Sequence, residues 1–239
     1  MATRLFLDMD GVFCDFEKGV QALTDGISSK NYPDEDLWPH IMKTPFFENL
    51  DPMKDAETLW KGVRTYLEKS GQKVPIFLTG CPKGEFRPAA EKGKEAWVRK
   101  HFISGNVHVL SVPVEAGFDE DAINLSQLVE EKLAAATSAD CILIFCRPDQ
   151  KFFFTMAKPI PILIDDRVRA AALWTSVRKD AIFIHHKTNP QNFTNKNERN
   201  MLSMNAVTQT VAKLSAMKGG RHRKTRKARK ARKNNSRRY

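Results

Sequence analysis

The chain has 239 residues, 41% of them hydrophobic, which suffices for one α/β domain with an insertion or for two small domains. Its formal charge of +11 is unevenly placed: of 39 Lys and Arg, 12 fall in residues 218–239, which hold no Asp or Glu, and the other 27 face all 28 acids, leaving residues 1–217 at −1. No apolar run reaches the roughly 20 residues of a membrane-spanning helix, no signal peptide is apparent, and the cysteines (Cys14, Cys81, Cys141, Cys146) lack CxxC or metal spacing, so we expect reduced core thiols in an intracellular protein, cytoplasmic or nuclear.

The first strand-like run, Leu5–Leu7, ends on Asp8-Met9-Asp10-Gly11, two carboxylates one residue apart and a glycine turn. Residues 15–72 then hold two or three helix-like pieces around an aromatic, proline-rich middle (Tyr32, Pro33, Trp38, Pro39, Pro45, Phe46, Phe47). A βαβ crossover needs far fewer residues, so 15–72 reads as a small helical cap inserted after the first strand. The run Val74–Leu78 ends on Thr79-Gly80, and a helix follows over Phe86–Phe102. Next come a strand at Val107–Val112, an acidic stretch with an amphipathic surface helix at Asp121–Ala136, and a strand at Cys141–Cys146. The run Ile160–Ile164 ends on Asp165-Asp166, followed by a helix at Val168–Val177, a strand at Ala181–Ile184 and a closing helix at Arg199–Met217.

Short apolar strands alternating with helices specify an α/β fold: a Rossmann-like, three-layer parallel sheet, formed by 1–14 and 73–217, with the cap at 15–72 and a basic tail at 218–239 expected to be disordered alone. Ligands of such sheets bind at the carboxyl ends of the strands, where Asp8, Asp10, Thr79, Asp165 and Asp166 all fall. Carboxylates in that position are placed to hold a cation and to attack an electrophile. Each also has a structural alternative: Asp and Gly suit a turn, Asp165 and Asp166 suit a helix N-cap, and Lys94 suits a surface helix.

Four islands follow one another: Asp8-Met9-Asp10-Gly11; Ile76-Phe77-Leu78-Thr79-Gly80; the lysines Lys94 and Lys151; and Ile162-Leu163-Ile164-Asp165-Asp166-Arg167. This order resembles the four motifs of the haloacid dehalogenase-like (HAD) phosphatases. Asp8-Met9-Asp10-Gly11-Val12-Phe13-Cys14-Asp15-Phe16-Glu17 is similar to the DMDGVLADFE of the 5'(3')-deoxyribonucleotidase group. Pro45-Phe46-Phe47-Glu48-Asn49-Leu50-Asp51-Pro52 resembles that group's cap segment, and Lys94-Glu95-Ala96-Trp97-Val98 its K-x-x-W-V helix. The likeness spans most of residues 1–186; Gly80 departs from the group's small hydroxyl residue, and neither 113–139 nor the tail belongs to the usual pattern.

The resemblance implies a Mg²⁺-dependent phosphomonoesterase of (deoxy)nucleoside monophosphates. Asp8 would be the nucleophile and Asp10 the general acid and base. Asp8, the Asp10 main-chain carbonyl, Asp165 and Asp166 would supply hard oxygen ligands to Mg²⁺. Thr79, Gly80, Lys94 and Lys151 would bind the phosphoryl oxygens, with Lys158 competing for the role of Lys151. Phe16, Trp38, Phe46 and Phe47 either wall a base pocket or only pack the cap.

The tail carries Arg226-Lys227-Ala228-Arg229-Lys230-Ala231-Arg232-Lys233, suited to nucleic acid or another polyanion. It keeps two alternatives open: a phosphatase of nucleic-acid ends, and an inactive nucleic-acid-binding protein on a phosphatase scaffold.

Overall fold

The computed structural model describes residues 2–156, 159–186 and 196–217, apart from the side chains of Asp34, Asp119, Glu120 and 196–204. The basic tail and Lys158 lie outside the described residues. Six strands form one sheet: β1 (Thr3–Leu7), β2 (Ile76–Gly80), β3 (Val107–Ser111), β4 (Cys141–Cys146), β5 (Ile160–Asp165) and β6 (Ile182–His185). Their order is β3-β4-β2-β1-β5-β6, and every pairing is parallel. The expected α/β fold with an all-parallel, helix-covered sheet is therefore observed.

Strand alternation sends successive side chains to opposite faces, and the core divides accordingly. Leu5, Leu7, Phe77, Leu143, Ile162 and Ile164 belong to one buried cluster, while Phe6, Ile76, Leu78, Ile142, Ile144 and Leu163 belong to the other. Because both faces are covered, the strands are continuous apolar runs rather than alternating ones.

Three helices precede β2: α1 (Phe16–Leu23), α2 (Asp34–Ile41) and α3 (Ala56–Ser70). All three fall within the insertion expected at 15–72. The chain leaves and returns at one point, where Asp15 N donates to Asp51 O (2.8 Å) and Met53 N to Phe13 O (2.7 Å). The last helix of that span, α3, covers the sheet: Trp60 stacks on Phe77 with ring centroids 5.9 Å apart, and the Tyr66 and Thr3 hydroxyls are 2.5 Å apart. It ends at Gly71, whose φ of 77° is the left-handed conformation that closes a helix. Between the Asp15 and Met53 hydrogen bonds lie α1, α2 and the segment to Leu50. Val20, Leu37, Ile41, Phe46 and Leu50 of this part join the same buried cluster as β1, so it shares a core with the sheet.

Of the remaining helices, α4 (Arg87–His101) carries Lys94, α5 (Asp119–Ala135) and α6 (Val168–Ser176) pack over the second cluster, and α7 (Lys196–Ala216) lies along α3. A 3-10 segment, Pro148–Met156, carries Lys151 between β4 and β5.

Candidate active site

The neighbouring strands β2, β1 and β5 carry Thr79, Asp8 and Asp165 at or just beyond their carboxyl ends. These ends meet because the registers are aligned: Leu7 pairs with Phe77 and Ile164, so carboxylates far apart in sequence leave the sheet side by side. Asp8, Asp165 and Asp166 each place a carboxylate oxygen within 4.8 Å of the others, all buried. Asp10, expected to ligate through its main-chain carbonyl, is not among these carboxylates. Its side chain turns instead to Lys94.

Lys151 Nζ lies 2.8 Å from Asp8 Oδ1 and 2.7 Å from Asp165 Oδ2. Asp8 Oδ1 also accepts from the Met9 amide (2.8 Å). Asp165 Oδ1 accepts from the Arg167 amide (2.8 Å). Burial pushes the Asp8 carboxyl up to about 6 against the pull of Lys151, with Asp165 and Asp10 adding to the rise. Burial also opposes the Asp165 charge, but the charge and hydrogen bond of Lys151, together with the amide and charge of Arg167, hold that carboxyl below the usual range.

For Asp166 the charges of Arg167 and Lys151 pull downward but do not prevail. Its Oδ1 is buried without a hydrogen-bond partner, and burial, reinforced by Asp8, pushes its carboxyl well above the usual range. An orphaned carboxylate oxygen beside two further carboxylates is a hard-oxygen donor set that fits Mg²⁺. Gly11 makes room for it: a Cβ there would lie 2.5 Å from Asp166 Oδ2, and the φ of 72° is strained for any other residue.

Lys94 is 1% exposed. Its ammonium donates to Asp10 Oδ2 (2.6 Å), Thr79 Oγ1 (2.8 Å) and the Gly80 carbonyl (2.7 Å), and lies 4.8 Å from the Phe47 ring centroid. Burial opposes its charge, yet Asp10 raises it above the ordinary lysine range. The Cys14 thiol donates to the other Asp10 oxygen, Oδ1, at 3.4 Å. Trp97, one turn beyond Lys94, donates to the Leu50 carbonyl (2.7 Å) and so ties the cap segment to α4.

The structure therefore gathers Asp8, Asp10, Thr79, Gly80, Lys94, Lys151, Asp165 and Asp166 into two adjoining networks. The aromatic residues divide. Phe46 and Phe47 are 6% and 3% exposed within the packed cap, and Phe16 and Trp38 are half-buried beside them.

Two contributors escaped the sequence reading. Burial opposes the Arg167 charge, but Asp8, Asp166 and Asp10 raise it, so it is a third cation for the cluster. His185 Nε2 lies 3.0 Å from the Asp166 carbonyl. Arg167 was visible as the residue after the acid pair; His185 carried no signal, since it ends an ordinary edge strand. In comparisons with known proteins, no family model and no curated sequence matches this chain.

Proposed function

We propose that the chain is a Mg²⁺-dependent phosphomonoesterase, of the haloacid dehalogenase-like kind, that hydrolyses (deoxy)nucleoside monophosphates through an aspartyl-phosphate. The observation that carries this reading is the convergence of Asp8, Asp165 and Asp166 at adjacent strand ends, with buried Lys151 against Asp8 and Asp165 and buried Lys94 against Asp10. Mg²⁺ held by Asp8, Asp165 and Asp166 would neutralise their charge and that of a phosphate dianion.

Lys151 and the Met9 amide occupy Asp8 Oδ1, leaving Oδ2 to attack phosphorus. A new Asp8 O–P bond forms as the ester P–O bond breaks, and the leaving alkoxide takes a proton from the Asp10 carboxyl. Asp10 then accepts a proton from the water that attacks phosphorus. Inorganic phosphate leaves and the Asp8 carboxylate is restored. General acid–base help of this kind contributes about 10²–10⁴-fold. Lys94, which donates to Asp10 and to the Thr79 hydroxyl, and that hydroxyl itself would turn to phosphoryl oxygens.

The density of cations in 218–239 favours a second reading, a phosphatase of nucleic-acid ends. Measuring phosphate release from dTMP, dUMP and a 3'-phosphorylated oligonucleotide, with and without Mg²⁺, tests both. Mg²⁺-dependent release from the mononucleotides supports the first, release from the oligonucleotide alone supports the second, and no release from any of them contradicts both.

A further inference from the structure

The three carboxylates of the acid cluster are aimed by different means. Asp8 Oδ1 is held by the Met9 amide and Lys151, and the two Asp165 oxygens by the Arg167 amide and Lys151. The buried Asp166 Oδ1 has no hydrogen bond to hold it, so that side chain takes its direction from its main chain and from its packing against Gly11. The main chain there is secured by β6. His186 N donates to Asp165 O (2.9 Å), and the ring of His185, the last residue of the ladder, places Nε2 3.0 Å from Asp166 O. A carbonyl only accepts, so Nε2 carries the proton and donates. The ring is itself steadied by Phe183, two residues back along the strand, with centroids 6.4 Å and planes 29° apart.

We infer that His185 is a positioning residue for the divalent cation: its hydrogen bond to the Asp166 carbonyl fixes the turn between β5 and α6 so that the orphaned carboxylate faces Asp8 and Asp165. The inference rests on the proposed function and adds to it a residue of the edge strand that acts through Asp166. The backbone there needs such support. β5 stops at Asp165 and α6 starts at Val168, so Asp166 and Arg167 belong to neither. Gly11 leaves little slack, since a Cβ on it would lie 2.5 Å from Asp166 Oδ2. Released from His185, the Asp166 peptide is free to turn and to carry its carboxylate out of the cluster, whereas Asp8 and Asp165 keep their own hydrogen bonds. Loss of an outer partner that orients a metal ligand typically weakens metal binding about 10–100-fold.

The test uses the full chain and Mn²⁺ alone, a hard cation that takes the same oxygen ligands as Mg²⁺, with free Mn²⁺ read by electron paramagnetic resonance and no substrate present. His185→Leu cannot donate, and the shorter amide of His185→Asn does not reach; each is expected to raise the Mn²⁺ Kd about 10–100-fold. His185→Gln, whose longer amide can donate to the same carbonyl, should stay within about three-fold of the wild type. A histidine that only supports the fold would lower the urea midpoint and leave the Kd of the folded protein where it was. Tight binding by the wild type with a folded Leu or Asn variant within about two-fold of it, or with a Gln variant as weak as those two, would overturn the role of His185 alone. A wild-type chain that binds no Mn²⁺ would overturn the metal-dependent function itself and this role with it.

Discussion

A Cβ on Gly93 would lie 2.9 Å from the Cβ of Phe47, so α4 is indented where the cap crosses it. That indentation lets the Phe47 ring approach the ammonium of the next residue, Lys94, to 4.8 Å. Gly93→Ala gains up to about 1 kcal/mol of helix propensity but must displace Phe47 or the main chain at Glu48, 3.3 Å away. Overpacking typically costs about 1–3 kcal/mol. We expect a net loss near 1 kcal/mol in urea unfolding and a several-fold higher KM for a phosphomonoester; a more stable variant with unchanged KM would contradict the packing argument.

Much of this site was legible because parallel sheets impose a rule. Apolar runs that end on acids must deliver those acids to one edge, so Asp8 and Asp165 were readable as neighbours although 157 residues separate them. The cap was less legible. Residues of α3 such as Leu59 and Val63 show the helical period whether they face the sheet or a cap, and the pairing of Asp15 and Met53 with Asp51 and Phe13 leaves no signal in the sequence. The aromatic run was ambiguous for a similar reason: a phenylalanine that packs and one that binds a ring look alike until exposure is known.

Lys151 is the shared counter-charge of Asp8 and Asp165 and is itself buried. Lys151→Met keeps most of the volume but leaves two buried carboxylates facing each other. Removing one partner of a buried ion pair costs about 3–5 kcal/mol. A loss of that order should appear in urea denaturation without added Mg²⁺, and a loss below about 1 kcal/mol would show that the network is not intact in solution.

His186 is fully buried, with Nδ1 3.0 Å from the Thr210 hydroxyl of α7. Burial, with the neighbouring His185, lowers its pKa to about 4. The neutral ring is the folded form, while the unfolded chain takes up a proton below pH about 6.5. Stability from this group is therefore complete above pH 6.5 and is lost as pH falls toward 4, by about 3 kcal/mol in total. Unfolding free energies measured between pH 7 and 4 should decline less steeply in His186→Gln than in the wild type; parallel declines would refute the assignment.

The cations of 218–239 should bind short duplex DNA with an affinity that falls steeply with salt, each phosphate contact adding about −0.9 to the slope of log K against log salt. Deleting 218–239 should remove most of that binding while leaving phosphate release from dTMP within about two-fold. Binding that survives the deletion would place the nucleic-acid surface on the folded body instead.

The account turns on Asp8 receiving a phosphoryl group. The direct measurement is acid-quenched turnover of dTMP with Mg²⁺, followed by mass analysis of the protein and its peptides. We predict one phosphoryl group per chain, labile to hydroxylamine, on the peptide that contains Asp8, present only with Mg²⁺ and absent from Asp8→Asn, with turnover in that variant at least about 10³-fold lower. A phosphoryl group on any other residue, or Asp8→Asn turning over near the wild-type rate, would contradict it.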